Sequence, residues 1–255
     1  DKTKMNEKRF DGLGKIYAKF RPSYPDDFID YLYSNAGLTK DSVVADVGAG
    51  TGILTEQLLL KGSKVFAVEP NENMRNMAEE NLHRFKGFIS VSATAENTKL
   101  LDNSIDFITV AQAFHWFDKQ AFKKECQRIL KPNGKVILVW NSRDEKSQLI
   151  QLNEAINKKY CTDFKGFSGG ISSVIENNAF DDFFTGEFEV CVFDNPLYFD
   201  EKGFIGRNLS SSYAPKEHDD MYDAYVSELK AVFEVYNKNG ILMMPNFTRS
   251  YIGAV

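Results

Sequence analysis

Residues 43–52 read VVADVGAGTG, an apolar run carrying one acid, Asp46, and followed by glycine at 48, 50 and 52. Glycines so spaced permit a tight turn and leave no Cβ between the backbone and a ligand. At the start of a helix, such a turn also presents N–H groups and the positive end of a dipole, which suit an anionic or carboxylate-bearing group. A second acid, Glu69, ends the next apolar run, KVFAV, some 20 residues on, where a carboxylate can accept both hydroxyls of a ribose and excludes a 2′-phosphate. The loop is GxGxG: Ile53 stands where the dinucleotide fingerprint has its third glycine. The combination argues for an adenosyl-type ligand. A nicotinamide-dependent oxidoreductase shares the loop and the acid and is the alternative, with a catalytically silent cofactor-binding module as a third reading.

These residues need elements to hold them. Strands are expected at 43–47, 64–68, 88–91, 104–110 and 136–140, with helices at 53–61, 71–85 and 119–130 between them. That alternation predicts a parallel sheet covered on both faces, joined by right-handed crossovers. Asn71 and Asp118 are expected N-caps, Met74, Met77, Ala78 and Leu82 an inward helix stripe, and KPNGK, residues 131–135, a turn. After residue 141 the rhythm changes to a polar helix at 147–160, then FKGFSGG and FDDFF, which together read as an inserted cap. A strand at 188–193, a helix at 219–237 and a last strand at 247–255 complete the pattern. The expected organisation is 1–40 as entry helices over the cofactor cleft, 41–142 as the cofactor-binding α/β core, 143–186 as inserted cap and substrate region, and 187–255 as strands and helices completing the sheet.

Three further strings carry candidate chemistry: GLGKIYAKFRPSYP at 12–25, SATAENTKL at 92–100 and AQAFHWFD at 111–118. Tyr17 and Arg21 share a helical face, and the planar Arg21 fork suits a carboxylate. His115 titrates near neutral pH, so it is either a base or a positioning group. Trp116 and Phe117 are either core aromatics or a wall beside a cation. Taken with DVGAGTG, these strings resemble the class I S-adenosylmethionine-dependent methyltransferases, closely over residues 10–141 and loosely beyond. AQAFHWFD is similar to a string in a small-molecule subgroup that includes trans-aconitate methyltransferases.

The resemblance implies a Rossmann-like α/β fold with a seven-stranded, mostly parallel sheet, helices on both faces, an inserted cap after the fifth strand and an antiparallel last strand. It implies S-adenosylmethionine as cofactor and S-adenosylhomocysteine as product. It assigns the cofactor to Tyr17, Arg21, Gly48, Ala49, Gly50, Thr51, Glu69, Pro70, Met74, Ala95, Glu96, Ala111, Gln112, Ala113 and Trp116. Tyr24, Arg143, Arg207 and Tyr213 are candidate substrate contacts, the arginines for an anionic group. The acceptor is expected to be a small molecule, a carboxylate or another oxygen or nitrogen nucleophile.

The net charge of −5 and pI near 5.4 give no electrostatic support for nucleic-acid binding. No DPPY or NPPY follows the fourth strand, where AQAF stands, so base methylation is not expected. Three scattered cysteines suggest neither a disulfide framework nor a metal site. No apolar run approaches the ~20 residues of a membrane span, and the charged start DKTKMNEKRF, in which Met5 reads as the natural first residue, lacks a secretory pattern. A cytoplasmic monomer or weak dimer is expected.

Overall fold

The computed structural model describes residues 23–167 and 171–255. Strands β1 (Val43–Val47), β2 (Lys64–Val68), β3 (Phe88–Val91), β4 (Ile105–Ala111) and β5 (Leu130–Arg143) form where the apolar runs predict them, and each neighbouring pair among them is parallel. Parallel strands need crossovers. These are helices α2 (Ile53–Leu60), α3 (Glu72–Leu82) and α4 (Lys119–Ile129), preceded by α1 (Asp26–Ser34). With β6 (Glu189–Asp194) and β9 (Asn246–Gly253) the sheet has seven strands in the order β3-β2-β1-β4-β5-β9-β6.

Strand residues alternate between two cores, as the two-residue period of a sheet buried on both faces demands. Val44, Ile137 and Val139 pack with Phe28, Leu32, Leu54, Leu58 and Leu82 from α1, α2 and α3. Ala45, Val47, Val136, Leu138 and Trp140 pack on the other face with Phe122 and Ile129 from α4. KPNGK is not a free-standing turn before β5. It lies within the strand as an irregularity of the ladder: the pairing jumps from Ile105↔Leu130 to Phe107↔Lys135, and Asn133 takes a left-handed φ of 67°.

The chain divides into two compact units differently from the expected organisation. Among the described residues, the larger comprises 23–141, 171–193 and 248–255, and the smaller 142–167 and 194–247. FDDFF therefore leaves the cap. It forms α7 (Ala179–Phe183), after α6 (Ile171–Glu176), and Phe180, Phe183 and Phe184 join the core around Phe114 and Trp140. The smaller unit is built from α5 (Gln148–Tyr160), α8 (Glu201–Leu209) and α9 (Tyr222–Tyr236) with the antiparallel pair β7 (Leu197–Phe199) and β8 (Leu242–Met244). Its own core gathers Ile150, Phe164, Phe204, Tyr225 and Leu229.

Phe183 is 1% exposed, with its ring 4.9 Å from that of Phe114 and 5.6 Å from that of Phe122. Truncation to alanine leaves a cavity the surrounding rings cannot fill, so Phe183→Ala is expected to cost about 3–5 kcal/mol in urea unfolding. A loss below about 1 kcal/mol would return α7 to the status of a detachable cap element.

Candidate functional site

The loops after β1, β2, β4 and β5 leave the sheet at the carboxyl ends of parallel strands. The order reverses around β1, which lies between β2 and β4, and a crevice forms at such a switch point. The β1–α2 turn needs glycine on steric grounds. Gly48, Gly50 and Gly52 have φ of 71°, 59° and 86°. A Cβ on Gly48 would lie 2.8 Å from the Ala113 Cβ, and one on Gly52 would lie 2.6 Å from Leu82 Cδ1. The small side chain of Ala113 is what lets the loop after β4 approach the glycine turn.

Hydrogen bonding fixes what the turn offers. The N–H groups of Gly48 and Ala49 donate to Val68 O at 2.8 and 3.1 Å, Gly52 N–H donates to Ala49 O, and Gly50 N–H donates to Glu69 Oε1 at 2.9 Å. Four donors of the turn are thus committed internally. A pyrophosphate needs such donors, so the turn suits it poorly; it presents bare Cα and carbonyl surface instead. Asp46 locks the turn from behind, its buried carboxylate accepting Thr55 Oγ1–H of α2 at 2.6 Å and Thr109 Oγ1–H of β4 at 2.9 Å.

Glu69, 8% exposed, is aimed by two backbone donors: Gly50 N–H on Oε1 and Asn71 N–H on Oε2, both at 2.9 Å. A carboxylate offers about four lone-pair positions, enough for hydroxyl donors as well as backbone ones. Asn71 caps α3 through Met74 N–H as expected, and the Arg75 guanidinium donates to the carbonyls of Glu69 and Pro70. Pro70 is exposed, and Met74 and Met77 are only partly buried; Ala78 and Leu82 alone of the expected stripe are fully inside.

At the end of β4, Gln112 holds a left-handed φ of 59°, unusual for a residue with a Cβ. The conformation is fastened on both sides: its N–H donates to Val139 O, its Nε2–H to Asn141 O, and its Oε1 accepts Asn141 N–H at 3.0 Å. The Asn141 side chain donates to Ser23 O and accepts the Thr248 hydroxyl. Residues Phe114–Trp116 then form one 3-10 turn that buries Phe114 and leaves Trp116 62% exposed, its ring 4.8 Å from that of His115. Trp116 is not a core aromatic; Phe117, 4.9 Å from Phe122, is partly buried and packs against the core.

His115 accepts Trp140 Nε1–H on Nδ1 at 3.4 Å, which places the ring proton on Nε2. Burial, with the Lys119 charge second, pushes its pKa down to about 4. The ring is therefore neutral at pH 7 and its lone-pair nitrogen is already engaged. It lines a cleft of about 630 Å³ with Lys119, Lys123, Lys124, Asn177 and Phe183.

Residues 45–138 match the family model described as a methyltransferase domain. Over those residues the chain resembles a methyltransferase domain. It is 40% identical over 143 residues to an uncharacterised methyltransferase of Mycobacterium tuberculosis, a match covering 56% of each chain, so the chain spans just over half the length of that relative. Its fold is similar to that of a solved protein from Anaeromyxobacter dehalogenans provisionally named a type II methyltransferase, with TM-score 0.70, 20% identity, and 92% of this chain and 98% of that one covered. A solved S-adenosylmethionine-dependent methyltransferase from Aquifex aeolicus gives TM-score 0.52 at 23% identity, over 70% and 89% of the two chains.

The matched segment brings Gly48, Ala49, Gly50, Glu69, Gln112 and Ala113 together through the contacts above. Ala95 is buried, and Glu96 commits Oε1 to Asp118 N–H, tying its loop to the start of α4. Asp118 caps that helix through Ala121 N–H, as expected. Tyr24 departs from expectation. It is 4% exposed, packs against Phe28 and exchanges backbone hydrogen bonds with the Gln57 amide, so its ring belongs to the core and does not line a cleft. Tyr17 and Arg21 lie outside the described residues. Sequence reasoning assigned no role to Thr55, Thr109, Asn141 or Thr248, which fix the turns and carry no motif of their own.

NMR titration of the His115 ring is expected to give a pKa near 4, with the ring neutral at pH 7. Because the folded value lies below the ordinary ~6.5, His115 favours folding fully above pH 6.5. That contribution, at most about 3 kcal/mol, is lost as the pH falls toward 4. A measured pKa of 6 or above would return the residue to candidacy as a general base.

Proposed function

We propose that the protein transfers a methyl group from S-adenosylmethionine to an oxygen or nitrogen of a small-molecule acceptor, a carboxylate being the simplest case. The observation that carries this reading is the Glu69 carboxylate, buried at the end of β2 and tethered to the glycine turn through Gly50 N–H. When bound, S-adenosylmethionine supplies an electrophilic sulfonium methyl group. Glu69 accepts the ribose hydroxyls, and the bare surface of Gly48, Ala49, Gly50 and Thr51 admits the amino-acid end, where donors would be of little use to its ammonium group.

In the same reading Pro70, Met74, Ala95 and Glu96 flank the adenine, Ala111, Gln112 and Ala113 bound the methionine portion, and Trp116 supplies an aromatic face to the sulfonium. The His115 ring positions through its Nε2–H and takes no proton, so an acceptor already ionised at neutral pH fits this site better than one that must be deprotonated. Catalysis then comes chiefly from orientation and exclusion of water, which supply several kcal/mol.

Incubation of the protein with methyl-labelled S-adenosylmethionine and a fractionated metabolite extract is expected to move label into the small-molecule acid fraction. Glu69→Ala should reduce that transfer at least about tenfold at subsaturating cofactor by removing the ribose acceptor. Label that never leaves the cofactor in any fraction would favour the silent binding module.

A further inference from the structure

Arg143, Arg207 and Tyr213, marked in the sequence for an anionic substrate, all belong to the smaller unit. Arg143 is the last residue of β5, and Arg207 lies in the last turn of α8. Among the described residues the charged and titratable groups facing Arg143 are Arg207, Tyr213 and Tyr225: a second cation and two phenols, with no carboxylate. Among the described residues Arg143 makes no ion pair, and its Nε is buried without a hydrogen bond. Its guanidinium lies 4.0 Å from the centre of the Phe167 ring. Phe167 packs edge-on against Phe164, and Phe164 against Tyr213, which makes a continuous aromatic wall.

Nearby polar groups offer the same sign of interaction. Tyr225 donates to Asn157 Oδ1 at 2.7 Å, and this leaves the buried Asn157 Nδ2 as a donor without a partner. Burial and then the Arg207 charge push the Arg143 guanidinium down to about 10, so it still carries its charge at neutral pH. A partly buried cation beside a like charge is destabilised unless an anion compensates it. Among the described residues no acid faces Arg143, and the buried groups without a hydrogen bond beside it are donors, Arg143 Nε and Asn157 Nδ2.

We propose that Arg143, with Arg207, Tyr213 and Asn157, forms an oxyanion-binding site in the smaller unit, taking the carboxylate or phosphate group of a small organic molecule whose body rests on the Phe164–Phe167 wall. The guanidinium fork matches the two oxygens of either group. The aromatic wall favours an organic anion over an inorganic ion. The site does not depend on the cofactor reading.

The test uses the full chain in chloride buffer, titrated calorimetrically with citrate, benzoate, phenyl phosphate and inorganic phosphate at matched ionic strength. Saturable binding of at least one organic anion at one site is expected, weakened at least tenfold by Arg143→Met and less by Arg143→Lys, which keeps the charge without the fork. Preference for the carboxylates or for phenyl phosphate identifies which oxyanion the site takes. With no anion added, Arg143→Met should melt at the same temperature as the unaltered protein or higher, because the like charge beside Arg207 is gone. Three results would each overturn the proposal: no saturable binding of any probe, unchanged affinity in Arg143→Met, or a lower melting temperature for that variant in chloride. The last would mark Arg143 as a structural cation. Should Arg143→Met fail to fold, Arg143→Lys carries the affinity measurement alone.

Discussion

The hydrogen bond from Gly50 N–H to the Glu69 carboxylate joins the two motifs on which the cofactor site depends. It ties the turn after β1 to the end of β2, so the acid and the bare backbone of the turn cannot move separately. Asn71 N–H fixes the other carboxylate oxygen and also places the cap of α3. Charge-assisted hydrogen bonds of this sort are the stronger ones, and here both lie out of water. Asp46 repeats the device one layer deeper, anchoring the turn to α2 and β4 through two threonine hydroxyls.

Rigid placement at this site leaves little for proton chemistry to do. The His115 ring is held by Trp140, and its depressed pKa keeps it neutral. Gln112 holds a backbone conformation that costs about 1–2 kcal/mol by itself, sustained by two side-chain bonds to the Asn141 backbone. Such cost at the rim of a switch-point crevice fits a site whose work is orientation. The commitment of the turn's own N–H groups separates it chemically from a phosphate cradle, a distinction the glycine spacing alone only suggested.

The five parallel strands and their helices were legible because each buried element declares a single period: VVADV and VILVW are apolar throughout, and the strands' two faces fill two separate cores. The glycine turn and Glu69 were legible because few residue types can do their work. FDDFF misled for a physical reason. An aromatic run beside glycines reads as an insertion, yet aromatic rings are what the core around Phe114 and Trp140 requires to fill its volume. Tyr24 was misplaced because a tyrosine between prolines gives no sign of which way its ring turns. Asn141 and Thr248 left no trace, since their partnership spans 107 positions and depends on the neighbourhood of β5 and β9 in the sheet.

The central claim is that the bare Gly48 backbone against Ala113, with Glu69 beside it, forms a cofactor cradle. Calorimetric titration with S-adenosylhomocysteine, compared between the unaltered protein and Gly48→Ala, tests it most directly. The account predicts one-to-one binding that the added methyl group weakens at least tenfold, because a Cβ there meets Ala113 at 2.8 Å on a left-handed backbone. Equal affinity in both proteins, or tight binding of NAD with none of S-adenosylhomocysteine, would contradict it.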